Sequence, residues 1–209
     1  DVQRMKLIFP DFVRKDEIMP DCHLGDTRNL SRVEFRKNPT IIITSPPYAN
    51  RYDYTRTYSL ELCFHFVKTF EELKAIRFGM LRSHIESKIH EEEVPPHPVI
   101  EEVVEALGRK TLNNPKIPSM LITYFIDMQK AIQKWANVLA PGGYVAMVVD
   151  NVRFEGEMVP VDLVLSEMAE EAGFTVTEII IARYKGNSSQ QMKTYGKIPV
   201  RESIVVLER

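Results

Sequence analysis

A short segment that combines a hydroxyl, two prolines and an aromatic ring carries the clearest chemistry in the sequence. Ser45, Pro46, Pro47 and Tyr48 follow directly on the β-branched run 40–44. A short apolar run that stops at two prolines predicts a buried parallel strand that ends there, because proline cannot continue a hydrogen-bonded ladder. Ligands bind beyond the carboxyl ends of strands in open α/β sheets, so this segment lies where a ligand is expected.

The Ser-Pro-Pro-Tyr segment resembles the catalytic motif of the S-adenosylmethionine-dependent DNA amino-methyltransferases, the N4-cytosine and N6-adenine enzymes. The longer stretches 45–54 and 186–192 resemble the bacterial site-specific type in particular, and residues 139–143 resemble the turn before a strand in its Rossmann-like fold. The resemblance implies S-adenosylmethionine as cofactor, DNA as partner and a place in a restriction–modification system.

The chemistry of the motif agrees with this resemblance. An exocyclic amine is a poor nucleophile because its lone pair is delocalised into the base, so acceptors must draw on its hydrogens. The Ser45 hydroxyl and the Pro46 carbonyl are expected to accept them, and the prolines stiffen that carbonyl by fixing φ. Tyr48 offers a flat face on which a flipped base can stack. Serine in the first place favours N4 of cytosine, with N6 of adenine next.

Cofactor binding is predicted at two residues. Asp26, in a Gly25-Asp26 pair, resembles the acidic residue that faces the adenine end of the cofactor in this fold, and Ser45 is expected near the methyl group. A simple Gly-Asp turn is an equally good interpretation of the pair.

The Gly-rich turn that binds the methionine half of the cofactor in this fold does not occur in the sequence. The chain therefore resembles the second half of the fold, and we expect the turn on an upstream segment or on a partner chain. One alternative is a non-catalytic or half-site DNA-binding subunit that completes a partner's active site. Another is an amino-methyltransferase that acts on an RNA base.

Contacts to DNA are predicted in two places. Basic and aromatic residues suited to phosphate and base contacts follow the motif, namely Arg51, Tyr52, Tyr54 and Arg56. An amide- and hydroxyl-rich loop can contact base edges through Asn187, Ser188, Gln190 and Gln191, with Lys185 beside it. The alternatives are solvated loop charges and an ordinary polar hairpin tip.

The elements that must position these groups alternate between strands and helices. Helical spacing covers 57–89, 99–107, 119–139 and 159–171, with Ser119 as an expected cap, and strands are expected at 144–149, 174–184 and 200–207. This order predicts an α/β fold, a Rossmann-like methyltransferase fold with a mostly parallel sheet and a C-terminal antiparallel hairpin. The expected divisions are a catalytic-motif segment at 1–56, a helical insert at 57–118 that serves target recognition, and the remaining methyltransferase domain at 119–209.

Basic residues recur at roughly helical spacing in that insert, namely Arg77, Arg82, His84 and Lys88. They could form a stripe that faces a groove of the DNA, but a solvated helix face is the more common outcome of this pattern.

Composition excludes several classes of protein. The 209 residues carry a net charge of −2, which excludes a bulk polycation that coats nucleic acid but allows a local basic face. Cys22 and Cys63 form no metal-binding spacing and neither follows proline, so a zinc site and C5-cytosine chemistry are disfavoured. No apolar run is long enough to cross a bilayer, and a cytoplasmic location is expected.

Overall fold

The computed structural model describes residues 23–30, 33–87, 93–186, 195–196 and 198–209. Within them, strands and helices both occur, as expected for an α/β protein. The strands are β1 (Ile41–Thr44), β2 (Tyr144–Asp150), β3 (Val152–Phe154), β4 (Glu157–Val159), β5 (Thr175–Lys185) and β6 (Val200–Glu208). The helices are α1 (Tyr54–Thr57), α2 (Ser59–His65), α3 (Phe70–Gly79), α4 (Pro98–Gly108), α5 (Ile117–Val138) and α6 (Val161–Glu171).

Four strands form one sheet in the order β1-β2-β6-β5. β1 runs parallel to β2, whereas β6 is antiparallel to both of its neighbours. The α/β class and the antiparallel C-terminal hairpin are confirmed, and parallel pairing within the described strands is confined to β1 and β2. The insertion of β6 between β2 and β5 brings the start of β6 beside the carboxyl end of β2.

A small hairpin of β3 and β4 was not expected from the sequence. Its turn holds Glu155 and Gly156 at φ of 44° and 89°. Two successive residues with positive φ are typical of the tight turns that join antiparallel strands. The available signal was the Glu-Gly pair between two short stretches that mix apolar and charged residues.

Helix α5 forms the centre of the core. Its predicted apolar face is confirmed, since Leu121, Phe125, Met128 and Ile132 are fully buried and Trp135 nearly so. The prediction that Ser119 caps the N-terminus of this helix was wrong. The helix begins at Ile117, two residues before Ser119, and no side chain caps it. Proline is tolerated in a first turn because the amide it lacks would have no intrahelical partner there.

The turn between α5 and β2 depends on glycine. A Cβ atom on Gly143 would lie 2.9 Å from the Thr40 carbonyl oxygen and from two further atoms. The backbone can approach this closely only without a side chain. Gly143 thus lets β2 start directly beside β1.

Strand β1 is less enclosed than expected. The prediction of a buried strand was wrong, because Ile41 is 56% exposed and Ile43 is 75% exposed. Among the described strands, β1 pairs only with β2 and forms the edge of the sheet. One of its faces therefore keeps apolar side chains in contact with solvent.

Over 57–89, where one helical pattern was expected, the described residues form two separate helices, α2 and α3, and α1 ends at Thr57. The break before α3 has a local cause, because the Thr69 side chain accepts a hydrogen bond from the Glu72 amide at 3.2 Å. The Glu72 carboxylate in turn accepts from the Lys68 amide at 2.6 Å. These reciprocal bonds resemble a capping box and start a new helix. None of the helices among the described residues has the length and hydropathy to cross a membrane.

A buried carboxylate on α5 fixes the insert against the core. Asp127 is 2% exposed and accepts hydrogen bonds from the guanidinium groups of Arg28 at 2.6 Å and Arg82 at 2.8 Å. Arg28 also donates to the carbonyl oxygens of Gly79 and Met80, at the end of α3. One charge inside the core thus holds three segments that are distant in sequence.

Replacing this carboxylate should destabilise the fold. Asp127→Asn leaves two arginines facing a buried amide, and the loss of one partner of a buried ion pair costs about 3–5 kcal/mol. The free energy of unfolding, measured by urea denaturation, should fall by that amount. Gln133→Ala, on the exposed face of the same helix, is the matched control and should change stability by less than about 0.5 kcal/mol. Similar losses in both variants would contradict the assignment.

Candidate active site

The Ser-Pro-Pro-Tyr segment begins immediately after the last residue of β1. Pro46 and Ala49 are buried, whereas Ser45 is exposed and Tyr48 is half-buried. The Asn50 amide donates to the Tyr48 carbonyl at 2.7 Å, which closes a tight turn at the end of the segment. The buried residues anchor the segment while its hydroxyl groups remain near the surface.

Tyr48 contacts charged residues of the C-terminal hairpin. Its hydroxyl donates to Glu202 Oε1 at 2.9 Å, and the Ser45 hydroxyl lies 3.4 Å from the Tyr48 oxygen. The Lys185 ammonium group lies 5.3 Å from the centre of the Tyr48 ring, a cation–π distance. Glu202 lies on β6 and Lys185 ends β5, so the hairpin fixes the tyrosine on one side.

These charged groups form a compact network, which we call the Glu202 cluster: Glu202, Arg183, Lys185 and Asp150. The Lys185 ammonium donates to Glu202 at 2.8 Å and to Asp150 at 3.1 Å, and Arg183 donates to Glu202. Hydrogen bonds from Arg183 and Lys185 lower the pKa of Glu202 to about 2. Burial raises the pKa of Tyr48, so the phenol keeps its proton and remains a donor.

Sequence reasoning did not assign Glu202, Arg183 or Asp150 to the site. The available signal was the presence of charged residues near the ends of otherwise apolar strands. Arg183 and Lys185 alternate on one face of β5, and Glu202 is the residue paired with Arg183 across the hairpin. Their relation to Tyr48 depends on the strand order, which the sequence alone did not reveal.

A cavity of about 440 Å³ lies on the other side of the motif. Asp26 and Ser45, the two residues predicted to bind cofactor, both line it, together with Pro46 and Pro47. Its remaining walls are largely apolar side chains from α5 and the insert, namely Met128, Ala131, Trp135, Ile76, Met80 and Leu81. Ser45 is thus shared between this cavity and the hydroxyl contact to Tyr48.

Arg28 orients Asp26 at the cavity wall. Its guanidinium donates to both carboxylate oxygens of Asp26, with nitrogen–oxygen distances of 2.9 and 2.7 Å. The side-chain hydrogen bond from Arg28 lowers the pKa of Asp26, which therefore stays ionised at neutral pH. The Asp26 carbonyl also accepts from the Asn29 amide at 2.8 Å, so the turn interpretation describes the same segment.

Two of the predicted DNA-contact residues lie near the motif with different partners. Arg51 has a φ of 70°, and its guanidinium donates to Asn113 at 2.9 Å and lies 5.7 Å from the centre of the Phe154 ring. Tyr52 is 45% exposed and meets Tyr54 edge to face, with 5.0 Å between ring centroids. Tyr52 therefore has more accessible surface for a ligand than the guanidinium of Arg51.

Arg56 belongs to a charged group that joins the end of the catalytic-motif segment to the insert. Its side chain is 65% exposed and forms ion pairs with Glu86 and with Asp53, the latter at 3.3 Å. Arg77 pairs with the same two carboxylates, at 3.0 Å from Asp53 and 3.2 Å from Glu86. The carboxylates compensate much of the positive charge in this region.

The basic stripe expected on the insert does not face solvent. Arg77 and Arg82 are largely enclosed by their carboxylate partners, and His84 is 1% exposed. Burial lowers the pKa of His84, so the imidazole is neutral at physiological pH. Both the groove-facing and the solvated interpretation were wrong for these three residues, because Asp53, Glu86 and Asp127 pair with the two arginines and His84 is buried. Lys88 lies outside the described residues.

The amide-rich loop was predicted to contact base edges. Asn187, Ser188, Gln190 and Gln191 lie outside the described residues, as do Ser189 and Lys193. The described chain before them ends at Gly186, directly after Lys185 of the Glu202 cluster. Across the described ranges, no three potential ligands gather into a metal site.

The chain is similar in sequence to known type II methyltransferases. No protein-family model matches the chain. It is 41% identical over 179 residues to the type II methyltransferase M.AvaI of Nostoc sp. strain PCC 7120 and of Anabaena variabilis. It is 36% identical over 193 residues to the type II methyltransferase M.BsoBI of Geobacillus stearothermophilus. These alignments cover 79% and 80% of this chain but only 37% and 38% of the relatives.

Among solved structures, the chain is similar to a candidate DNA modification methylase from Thermus thermophilus. The sequence identity is 16%, the TM-score is 0.44, and the match covers 90% of this chain and 54% of the other. That crystal structure contains S-adenosyl-L-methionine. A selenomethionine derivative of the same methylase, at 14% identity and a TM-score of 0.42, covers 88% of this chain.

The Glu202 cluster predicts a pH dependence of stability. The pKa of Glu202 is about 2 in the fold against a usual 4.5, so its stabilising contribution is complete above pH 4.5 and is lost as the pH falls toward 2. The difference in unfolding free energy between the unmodified protein and Glu202→Gln should therefore be larger at about pH 6 than at about pH 3. Urea denaturation at both values measures it. A difference that does not change with pH would contradict the assigned pKa.

Proposed function

This chain belongs to the DNA methyltransferase family, and on that basis we propose that the protein methylates an exocyclic amine of a base in DNA. The chain spans 37–38% of the length of its curated relatives, so the activity of a whole protein of this family is itself part of the proposal. The observation that carries it is the position of Ser45. This hydroxyl lines the cavity that contains Asp26 and also lies within 3.4 Å of the Tyr48 oxygen.

The cavity suits S-adenosylmethionine as the methyl donor. Asp26 offers an ionised carboxylate at one part of the wall, and the apolar side chains of α5 and the insert suit a flat ring. When bound, the cofactor supplies an electrophilic methyl group on a positively charged sulfur. Asp26 and Ser45 would hold it, and the Gly-rich turn is proposed to come from an upstream segment or a partner chain.

The residues of this chain activate and orient the amine. Ser45 Oγ and the Pro46 carbonyl accept the two amine hydrogens, which directs the nitrogen lone pair toward the methyl carbon. The nitrogen–carbon bond forms as the carbon–sulfur bond breaks, and the bonding pair remains on sulfur. The nitrogen then releases one proton to water. Pro46 and Pro47 hold the acceptors in place before the base arrives, which is electrostatic preorganisation.

Tyr48 provides the stacking surface for the target base. One face of its ring is near the Lys185 ammonium, so the base stacks on the opposite face. Extruding a base from the duplex costs a few kcal/mol, and stacking on an aromatic ring returns about 1–3 kcal/mol. We assign the base as cytosine, methylated at N4, on the serine in the motif, with N6 of adenine as the alternative.

DNA contacts are proposed for Arg51, Tyr52 and Arg56 and for the amide-rich loop. Of the three residues near the motif, Tyr52 has exposed ring surface and Arg56 has an exposed side chain. The loop residues Asn187, Ser188, Gln190 and Gln191 follow directly on the Glu202 cluster in the sequence and carry groups that pair with base edges.

A direct assay tests the proposal and the identity of the base. The full-length protein is incubated with DNA and S-adenosylmethionine labelled in the methyl group, and the DNA is digested to nucleosides for mass spectrometry. We expect label in N4-methylcytosine. Label in N6-methyladenine would transfer the assignment to adenine, and label in RNA alone would replace DNA as the substrate. Binding of DNA without methyl transfer, even with a partner chain present, would favour the half-site subunit.

Ser45→Ala and Tyr48→Ala should abolish most of the transfer without unfolding the protein. Both side chains lie beyond the end of β1, and removal of a preorganised polar group at a reacting centre lowers kcat by about 10²–10³-fold. Tyr144→Ala is the matched control, because this half-exposed tyrosine lies at the opposite end of β2. Methylation rates and melting temperatures are measured together. Parallel loss of both quantities would show that the motif serves the fold.

A further inference from the structure

The hydrogen-bond chain from Ser45 to Glu202 has a defined direction. An ionised carboxylate has no hydrogen to donate, so the Tyr48 hydroxyl must donate to Glu202 across their 2.9 Å contact. The single phenolic hydrogen is then in use, and the Tyr48 oxygen can only accept from Ser45. The 3.4 Å contact between the two hydroxyls is long, as hydrogen bonds at active sites often are in the absence of substrate.

This direction determines which hydrogen-bonding groups Ser45 Oγ can offer to a substrate. A Ser45 hydroxyl that donates its only hydrogen to Tyr48 presents lone pairs alone on the side of Oγ that faces a substrate. We propose that Glu202 is a positioning residue that fixes Ser45 as a hydrogen-bond acceptor, and that the site thereby selects a base with an amine over its oxo counterpart. The inference rests on the proposed function and names a residue that sets its substrate choice.

Two further observations and one general property of hydrogen-bond chains support this role for Glu202. The carboxylate is 7% exposed, which limits competition from water for its oxygen atoms. Lys185 and Arg183 both donate to it and keep it ionised, with its pKa held at about 2. Chains of hydrogen bonds polarise one another, so a charged end strengthens the acceptor at the far end.

If the hydrogen bond from Ser45 to Tyr48 had no fixed direction, the site would not distinguish an amine from an oxo group on the base. A neutral hydroxyl both donates and accepts, and a donating Ser45 would pair equally well with the oxygen at position 4 of uracil or position 6 of hypoxanthine. When Ser45 acts only as an acceptor, its lone pairs are repelled by the lone pairs of those oxygens. An exocyclic amine instead donates a hydrogen bond to Ser45. Sites that leave a polar group unpaired reject the wrong analogue strongly.

Two single variants and their double variant test the inference. The amide of Glu202→Gln can donate to Tyr48 and so permits the reversed direction, and Tyr48→Phe removes the middle oxygen of the chain. Each should lower kcat by about tenfold to a hundredfold, the range for hydrogen bonds to charged groups. The double variant should be no slower than the slower single variant, because both changes break one chain.

The preference for an amine over an oxo base is the decisive measurement, because it would not change if Glu202 only stabilised the fold. The dissociation constant is measured for duplexes that carry the target base or its oxo counterpart, uracil for cytosine or hypoxanthine for adenine. Both single variants should reduce the ratio of the two constants by about tenfold. Glu208→Gln, the same substitution near the other end of β6, is the control and should keep the unmodified ratio and kcat.

The outcomes separate the inference from the proposed function. Methyl transfer by the unmodified protein with effects that multiply in the double variant, or with an unchanged base ratio, would overturn the role of Glu202 alone. Absence of methyl transfer by the unmodified protein would overturn both. If Glu202→Gln does not fold, Tyr48→Phe decides the question, since the loss of one oxygen must by itself reduce the base ratio.

Discussion

The buried carboxylate of Asp127 determines the placement of the whole region around the candidate site, because a charge inside α5 requires partners. Its partners are Arg28 and Arg82, which come from segments about 100 and 45 residues earlier in the chain. Arg28 in turn orients Asp26 and holds the end of α3, so one wall of the cavity depends on this charge. A hydrophobic residue at position 127 would pack in the core but would leave these segments without a common attachment.

The two prolines divide the site into two compartments. Ser45, Pro46 and Pro47 line the cavity on the side of Asp26, whereas Tyr48 belongs to the side of the Glu202 cluster. In the proposed reaction, the methyl donor and the base occupy different compartments beside Ser45 and do not compete for the same walls. The rigid φ of each proline keeps the two compartments in fixed relation.

Local patterns were sufficient to predict the parts of the fold that local chemistry determines. The strand that stops at two prolines, the apolar face of α5 and the C-terminal hairpin all follow from short stretches of sequence. Glu202 escaped prediction because its partner Tyr48 lies 154 residues away and the contact requires β6 to lie between β2 and β5. Arg77 was misjudged for the same reason, since only the folded chain shows that Asp53 neutralises it.

The edge position of β1 has a consequence for motion. A short strand with one-sided pairing among the described residues and two exposed isoleucines belongs to the part of a sheet that opens most readily. Its amide hydrogens should exchange with solvent before those of β2 and β6. Ser45 follows this strand directly, so any surface that covers Ile41 and Ile43 would also restrain the position of the Ser45 hydroxyl without touching it.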